Sequence, residues 1–154
     1  MIHHERTLDI DASPDNVWAV ISRYMHIDEF APFVTSVDAM TDGDDGMGSI
    51  RRNHFDNGSS IVEEVIAWEP NRGYRVRMSE MAPLHFHEAL AELAVAHKND
   101  GGSKVTWSMD FRVKYGPFGW LLGQTIMKRF LGKVLDANLK GLAGNVQSNQ
   151  GAAE

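Results

Sequence analysis

The sequence predicts an α+β domain built from one antiparallel sheet of seven strands and one long terminal helix, and three observations carry that expectation. A single alternating strand is followed by two short helical segments and then by six strand segments in succession. Short turns such as Asp56-Asn57-Gly58 and Asn99-Asp100-Gly101-Gly102 separate these segments and join neighbours as hairpins. After the last strand, over 117–147, apolar residues recur at Met127, Leu131, Val134/Leu135, Leu139, Leu142 and Val146, the spacing that gathers one face of a helix.

Within 3–12, Thr7-Leu8-Asp9-Ile10-Asp11 alternates strictly between polar and apolar, the mark of a half-buried strand. Ser13-Pro14-Asp15 then sets a helix start: serine caps, proline suits the first turn, and aspartate favours the positive end of the dipole. Val17, Trp18, Val20, Ile21 and Tyr24 supply about two turns of apolar face. A second short helix is expected over 26–30, ended at Ala31-Pro32. The six later strands are expected over 34–40, 49–55, 59–68, 74–79, 85–97 and 104–114, with a glycine- and aspartate-rich loop at 41–48.

Gly116-Pro117 breaks the chain before the long helix, which at about 30 residues would be ~45 Å long. Glycines 119, 123, 132, 141 and 144 lie inside it. Each costs roughly 1 kcal/mol against alanine in a helix interior. They suit a helix that something approaches closely, or beside which space is left empty. One domain is expected over 1–147, with 148–154 as a loose tail.

Composition excludes several classes. The 154 residues suffice for one core, and the net charge of −6, with no basic run longer than Arg51-Arg52, argues against nucleic-acid binding. Without cysteine there are neither disulfides nor thiolate zinc sites. The N-terminus lacks a charged-then-apolar signal pattern, and no apolar stretch approaches the ~20 residues of a membrane span. The expectation is a soluble, cytoplasmic protein with no cofactor.

Alternation also assigns faces. Val105, Trp107, Met109, Phe111 and Val113 share one side of the last strand, against Thr106, Ser108, Asp110 and Arg112. Tyr74, Val76 and Met78 oppose Arg75 and Arg77. In the strand before, Glu88 and Glu92 send their face outward, so His85, His87, Ala89, Ala91, Leu93 and Val95 point inward. An alanine-lined sheet beside a glycine-rich helix does not easily fill its interior. Close-packed cores hold few voids, so the unfilled volume suggests a ligand cavity. The hairpin at Asn57-Gly58 stays open: a three-residue turn sets Arg51 opposite Glu63, and a two-residue turn sets Arg52 there. Either Arg51 or Arg52 could then face the cavity.

Several stretches resemble a known family. Ile10-Asp11-Ala12-Ser13-Pro14 with Val17-Trp18, Gly48-Ser49-Ile50-Arg51, and Asn57-Gly58 with Val62-Glu63 resemble the START/birch-pollen-allergen superfamily, SRPBCC. Ser79-Glu80-Met81-Ala82-Pro83-Leu84, Val105-Thr106-Trp107 and Leu139-Lys140-Gly141-Leu142 resemble its polyketide cyclase/dehydrase-like branch. The resemblance implies a helix-grip fold: a seven-stranded antiparallel sheet curled around the C-terminal helix, with two short helices after strand 1. It also implies a cavity between sheet and helix for lipids, sterols, aromatic polyketides or plant hormones. Arg51 and Glu63 match recurrent positions of that family, which favours the three-residue turn. No catalytic signature of the family is found.

His85 and His87 are the candidate catalytic pair, since histidine titrates near neutrality and can move protons. As metal ligands at spacing two they would need a third partner such as His54, His97 or Glu63, and no metal site is expected. The calcium reading of the loop from Asp42 fails, because its sixth position is Met47 and its twelfth Asn53. Asn57-Gly58-Ser59 reads as a turn rather than a glycosylation site. The glycines at 43, 46 and 48 precede no phosphate-binding lysine and helix. Trp120, Leu121, Leu122 and Phe130 with Lys128, Arg129 and Lys133 could form a membrane-facing edge, but a gripped helix with a solvated rim explains them as well.

The expected function is binding of a small, largely apolar, aromatic or polyketide-like molecule. Tyr74, Met78, Trp107, Met109 and Phe111 would form the sheet wall, with Met127 and Leu131 on the helix. His85, His87 and the Arg51/Glu63 pair would supply polar contacts. One rival is a cyclase or dehydratase using the histidines on an enolisable chain. Another is a protein-partner module like the chaperone-activator branch, which would expose an apolar patch.

Overall fold

In a computed structural model that describes residues 1–43, 46–81, 86–113, 116 and 128–153, the alternating segments become seven strands. These are β1 (Ile2–Ile10), β2 (Val34–Ala39), β3 (Ile50–Phe55), β4 (Ser60–Glu69), β5 (Gly73–Ser79), β6 (Phe86–His97) and β7 (Ser103–Val113). Helix α1 (Pro14–Ile21) and a 3₁₀ helix (Tyr24–Glu29) lie between β1 and β2, and α2 (Lys128–Ala153) follows the sheet. All pairings are antiparallel, in the order β1-β7-β6-β5-β4-β3-β2. From β2 to β7 each strand pairs with the next, while β1 pairs with the last. The two short helices therefore carry the chain from one sheet edge to the other. This is the helix-grip architecture.

Local chemistry accounts for the joints. The Ser13 hydroxyl accepts the Asn16 amide at 3.2 Å, and Pro14 opens α1. Val17, Val20 and Ile21 are buried on its inner side. The β3–β4 hairpin has the three-residue turn: Phe55 N–H reaches the Ser59 carbonyl at 2.9 Å, and Gly58 takes φ = +86°. That turn puts Arg51 opposite Glu63 and Arg52 opposite Val62. The second short helix begins earlier than expected, at Tyr24, and is a 3₁₀ helix.

Inner and outer faces follow the alternation along most of the sheet. Tyr74, Val76 and Met78 are buried between exposed Arg75 and Arg77, and Val105, Trp107 and Phe111 are buried on β7. On β6 the inward set holds for Ala89, Ala91, Leu93 and Val95 but not for His87. A β-bulge between Phe86 and Glu88 inserts one extra residue, so Phe86 takes the half-buried inner position and His87 is exposed. His85 lies outside the described residues.

Helix α2 packs on β1, β7 and α1 through Leu135, Leu139, Leu142 and Val146. Two of its glycines answer to close approach. A Cβ on Gly141 would stand 1.9 Å from the Phe30 carbonyl oxygen, and one on Gly132 would meet the Arg6 guanidinium at 2.6 Å. Gly144 is exposed with nothing within 4 Å. Residues 148–153, expected as a loose tail, continue the helix to Ala153, with Ser148 and Asn149 exposed. Met127, Gly119, Gly123 and the expected start of the helix lie outside the described residues. No helix among the described residues is long and apolar enough to cross a membrane.

The glycine contacts predict opposite signs for one chemical change. Gly141→Ala should destabilise the protein by about 2 kcal/mol or more through overpacking. Gly144→Ala should leave it unchanged or stabilise it by up to about 1 kcal/mol through helix propensity. Urea unfolding of the two variants checks this, and equal effects would mean that α2 does not abut Phe30.

Candidate functional site

The inner face of the sheet carries charge where its apolar frame would not require it. Arg51 is 2% exposed and Glu63 7% exposed, and both point into the interior from adjacent strands. The Arg51 guanidinium donates from Nε and Nη2 to Glu63 Oε2 at 2.8 and 2.5 Å, and from Nη1 to the Tyr24 carbonyl. The Tyr24 ring lies 3.8 Å from the guanidinium carbon, and its hydroxyl donates to the Glu63 carbonyl at 3.0 Å. Asn53 Nδ2 adds a third donor to Glu63 Oε2 at 3.1 Å. Burial opposes charge on Arg51, but Glu63 and the two neighbouring tyrosines outweigh it, so its pKa moves up and it stays a cation. Burial likewise pushes the Tyr24 and Tyr74 phenols up, keeping both neutral.

Aromatic rings extend this cluster. Tyr24 meets Tyr74 edge-on at 5.5 Å, Tyr74 stacks on Trp68 at 5.6 Å, and Trp68 meets Trp18 of α1 at 5.0 Å. Arg52, the alternative candidate, faces the other way. It donates to Ser60 Oγ at 3.1 Å and pairs with Glu80, whose backbone sits at φ = +52°.

Next to this cluster the sheet opens. Glu63 pairs across strands with Met78. From Met78 onward β5 and β6 part: their pairing runs from Gly73↔Ala94 to Arg77↔Leu90. The gap is a cleft of about 600 Å³. Its inner wall is Met78, Met81, Phe86 and Ala89, and its rim carries Arg77, Glu80, His87, Glu88 and Arg112. The bulge that turns His87 outward also tips Phe86 against Phe111 at 5.3 Å. Behind Phe111 stands His4, 4% exposed, with its ring 5.5 Å away. Apolar floor and polar rim in one concavity are what small-molecule sites require.

The sequence-predicted residues thus fall into separate groups. Arg51, Glu63 and Tyr74 form the buried cluster, while Met78 and His87 line the cleft. Phe111 backs the cleft through Phe86, Trp107 packs on Phe30 at 6.4 Å, and Met109 and Leu131 are half-buried. His85 and Met127 lie outside the described residues. His54 pairs with Asp38 at 2.7 Å and His97 is exposed at the end of β6. Sequence reasoning passed over the buried polar residues His4 and Asn53. The signal for His4 was present, since alternation phases it with Leu8 and Ile10.

This architecture matches a known family over nearly its whole length. The profile described as "Polyketide cyclase / dehydrase and lipid transport" matches residues 1–147. The chain belongs to that family. Among solved structures, the Zhui aromatase/cyclase from Streptomyces sp. R1128 superposes with a TM-score of 0.78 at 17% identity, covering 95% of this chain and 93% of that one. XoxI from Bacillus cereus gives 0.77 at 20% identity, covering 97% and 99%. Ara h 8.0201 gives 0.69 at 17% identity, covering 96% and 98%. At these identities the likeness is one of fold. No curated protein matches the sequence.

The buried pair makes a sharp stability prediction. Glu63→Gln leaves a buried guanidinium without its counter-charge and should cost about 3 kcal/mol or more in urea unfolding. The double variant Arg51→Met/Glu63→Leu, which removes both charges, should be more stable than Glu63→Gln alone. A single variant that unfolds like the native protein would mean that the pair is solvated.

Proposed function

We propose that the protein binds one small, largely apolar molecule at its sheet, with the β5–β6 cleft as its seat. The observation that carries this is the cleft itself. Its volume of about 600 Å³ lies within the roughly 300–1,000 Å³ of small-molecule sites. Met78, Met81 and Phe86 offer a deformable and aromatic floor, and Ala89 keeps it wide. The buried Arg51/Glu63 cluster lies one strand away, where Glu63 pairs with Met78 of the cleft.

A second possibility is catalysis in the same cleft. His87 on the rim favours it, an imidazole able to accept or give a proton beside an apolar floor. One solved neighbour is named as an aromatase/cyclase. The reaction would be proton transfer on an enolisable chain, and His87→Gln would then abolish turnover while binding survives. A carrier has no turnover to lose.

Native mass spectrometry of freshly purified protein tests the binding function. A co-purified small molecule should ride on the native protein, vanish on denaturation, and be absent from Ala89→Trp, whose indole fills the cleft. An equally loaded Ala89→Trp protein would place the guest elsewhere, and an unloaded native protein that takes up no added apolar probe would contradict the function.

A further inference from the structure

One buried oxygen beside the Arg51/Glu63 pair lacks a donor. Asn53 is 2% exposed and gives its Nδ2 to Glu63 Oε2 at 3.1 Å. Turning the amide round would set its oxygen against a carboxylate, so Oδ1 faces away from Glu63. There it is buried, with no hydrogen-bond partner among the described residues. The neighbouring donors are directed elsewhere: Arg51 gives Nε and Nη2 to Glu63 and Nη1 to the Tyr24 carbonyl, and the Tyr24 hydroxyl goes to the Glu63 carbonyl. A buried acceptor without a donor is costly, and such an exception asks for a cause. Asn53 shares the inner face with Arg51 and Phe55, and its cross-strand neighbours are Val37 and Ile61. Val37, Phe55 and Ile61 pack on the core but are only half-buried. β4 meets the edge of the cleft at Glu63↔Met78 and Val62↔Ser79, so Ile61 is the next residue outward. A half-covered apolar row therefore runs from Met81 and Phe86 over Ile61 to Phe55, with the unpaired oxygen beside it.

We infer that the guest carries a neutral hydroxyl group, an alcohol or phenol on an apolar body, and that Asn53 Oδ1 accepts its hydrogen. This inference rests on the cleft being the binding seat, as proposed above, and extends that seat across β4 to β3. The two strands β3 and β5 are two strand spacings apart, ~10 Å, a span that a two-ring body with one substituent covers. Glu63 fixes which end of the amide is offered, so the site selects a donor and gives nothing to a guest whose oxygen can only accept. An ammonium would be stripped of water beside a carboxylate already matched by Arg51, which leaves the hydroxyl as the fitting donor. Discrimination of this kind is strong because a guest without the hydroxyl leaves a buried group unpaired.

Paired probes test this: 2-naphthol and 2-methoxynaphthalene, titrated into the native protein by calorimetry at neutral pH, where the phenol is uncharged. On apolar burial alone the extra methyl would favour the ether by about fourfold. Asn53 should reverse that order, so that 2-naphthol binds at least about threefold more tightly. In Asn53→Leu the order should return to the ether. An ether bound as tightly as 2-naphthol in the native protein, or more tightly, would overturn the hydroxyl while leaving the apolar seat standing. A preference for 2-naphthol that persists in Asn53→Leu would overturn the assignment to Asn53. That variant also takes a donor from Glu63, so the native protein provides a second reading. With ¹⁵N label, the Asn53 side-chain amide signals should move with 2-naphthol and stay in place with the ether. Signals that respond alike to both probes would count against the contact. Binding of neither probe would remove the seat, and this contact with it.

Discussion

A guanidinium and a carboxylate withdrawn from water are tolerable only when each satisfies the other, and the pairing of Arg51 with Glu63 is the constraint around which this fold is arranged. The pair couples β3 to β4, and through the Tyr24 carbonyl, ring and hydroxyl it ties the 3₁₀ helix to both strands. The crossing from one sheet edge to the other is thereby locked to the middle of the inner face. Since Met78 sits directly across from Glu63, the same lock sets the position of the first wall of the cleft. Stability and candidate site share residues at that point.

The other wall depends on a backbone irregularity. Strict alternation would have placed His87 inside. The bulge at Phe86/Glu88 exchanges histidine for phenylalanine on the inner side. The inner position becomes apolar and the imidazole moves to the rim. Bulges commonly re-aim a side chain near sites in this way. The outcome is a cleft with buried apolar residues on one side and exposed polar residues at its rim.

Much of the fold was legible because its signals are local and repeated. Asn57-Gly58 and Asn99-Asp100-Gly101-Gly102 announce turns, Ser13-Pro14 announces a helix, and the alternation on β5 and β7 fixes their inner faces. The glycine-rich helix suggested both close approach and empty space, and the contacts at Gly132 and Gly141 select close approach there. The site was less legible. A bulge without glycine has no local signature, so His87 was assigned inward by a rule that holds from Ala89 to Val95. The mixed hairpin faces around Arg51 could not reveal that a buried ion pair outweighs an apolar pattern, because that depends on Tyr24, some 27 residues earlier in the chain. The resemblance at Arg51 and Glu63 pointed to the right pair before geometry explained why it is there.

The claim at the centre is that an apolar molecule sits between β5 and β6, and methionine methyl groups report on it directly. Protein labelled with ¹³C at the methionine methyls would be titrated with methyl 2-naphthoate, with two-dimensional NMR spectra followed at each step. Met78 and Met81 should shift strongly and show contacts to the naphthalene protons, while Met25 in the core and exposed Met40 stay unmoved. Shifts spread evenly over all methionines, or confined to Met25 and Met40, would contradict the account.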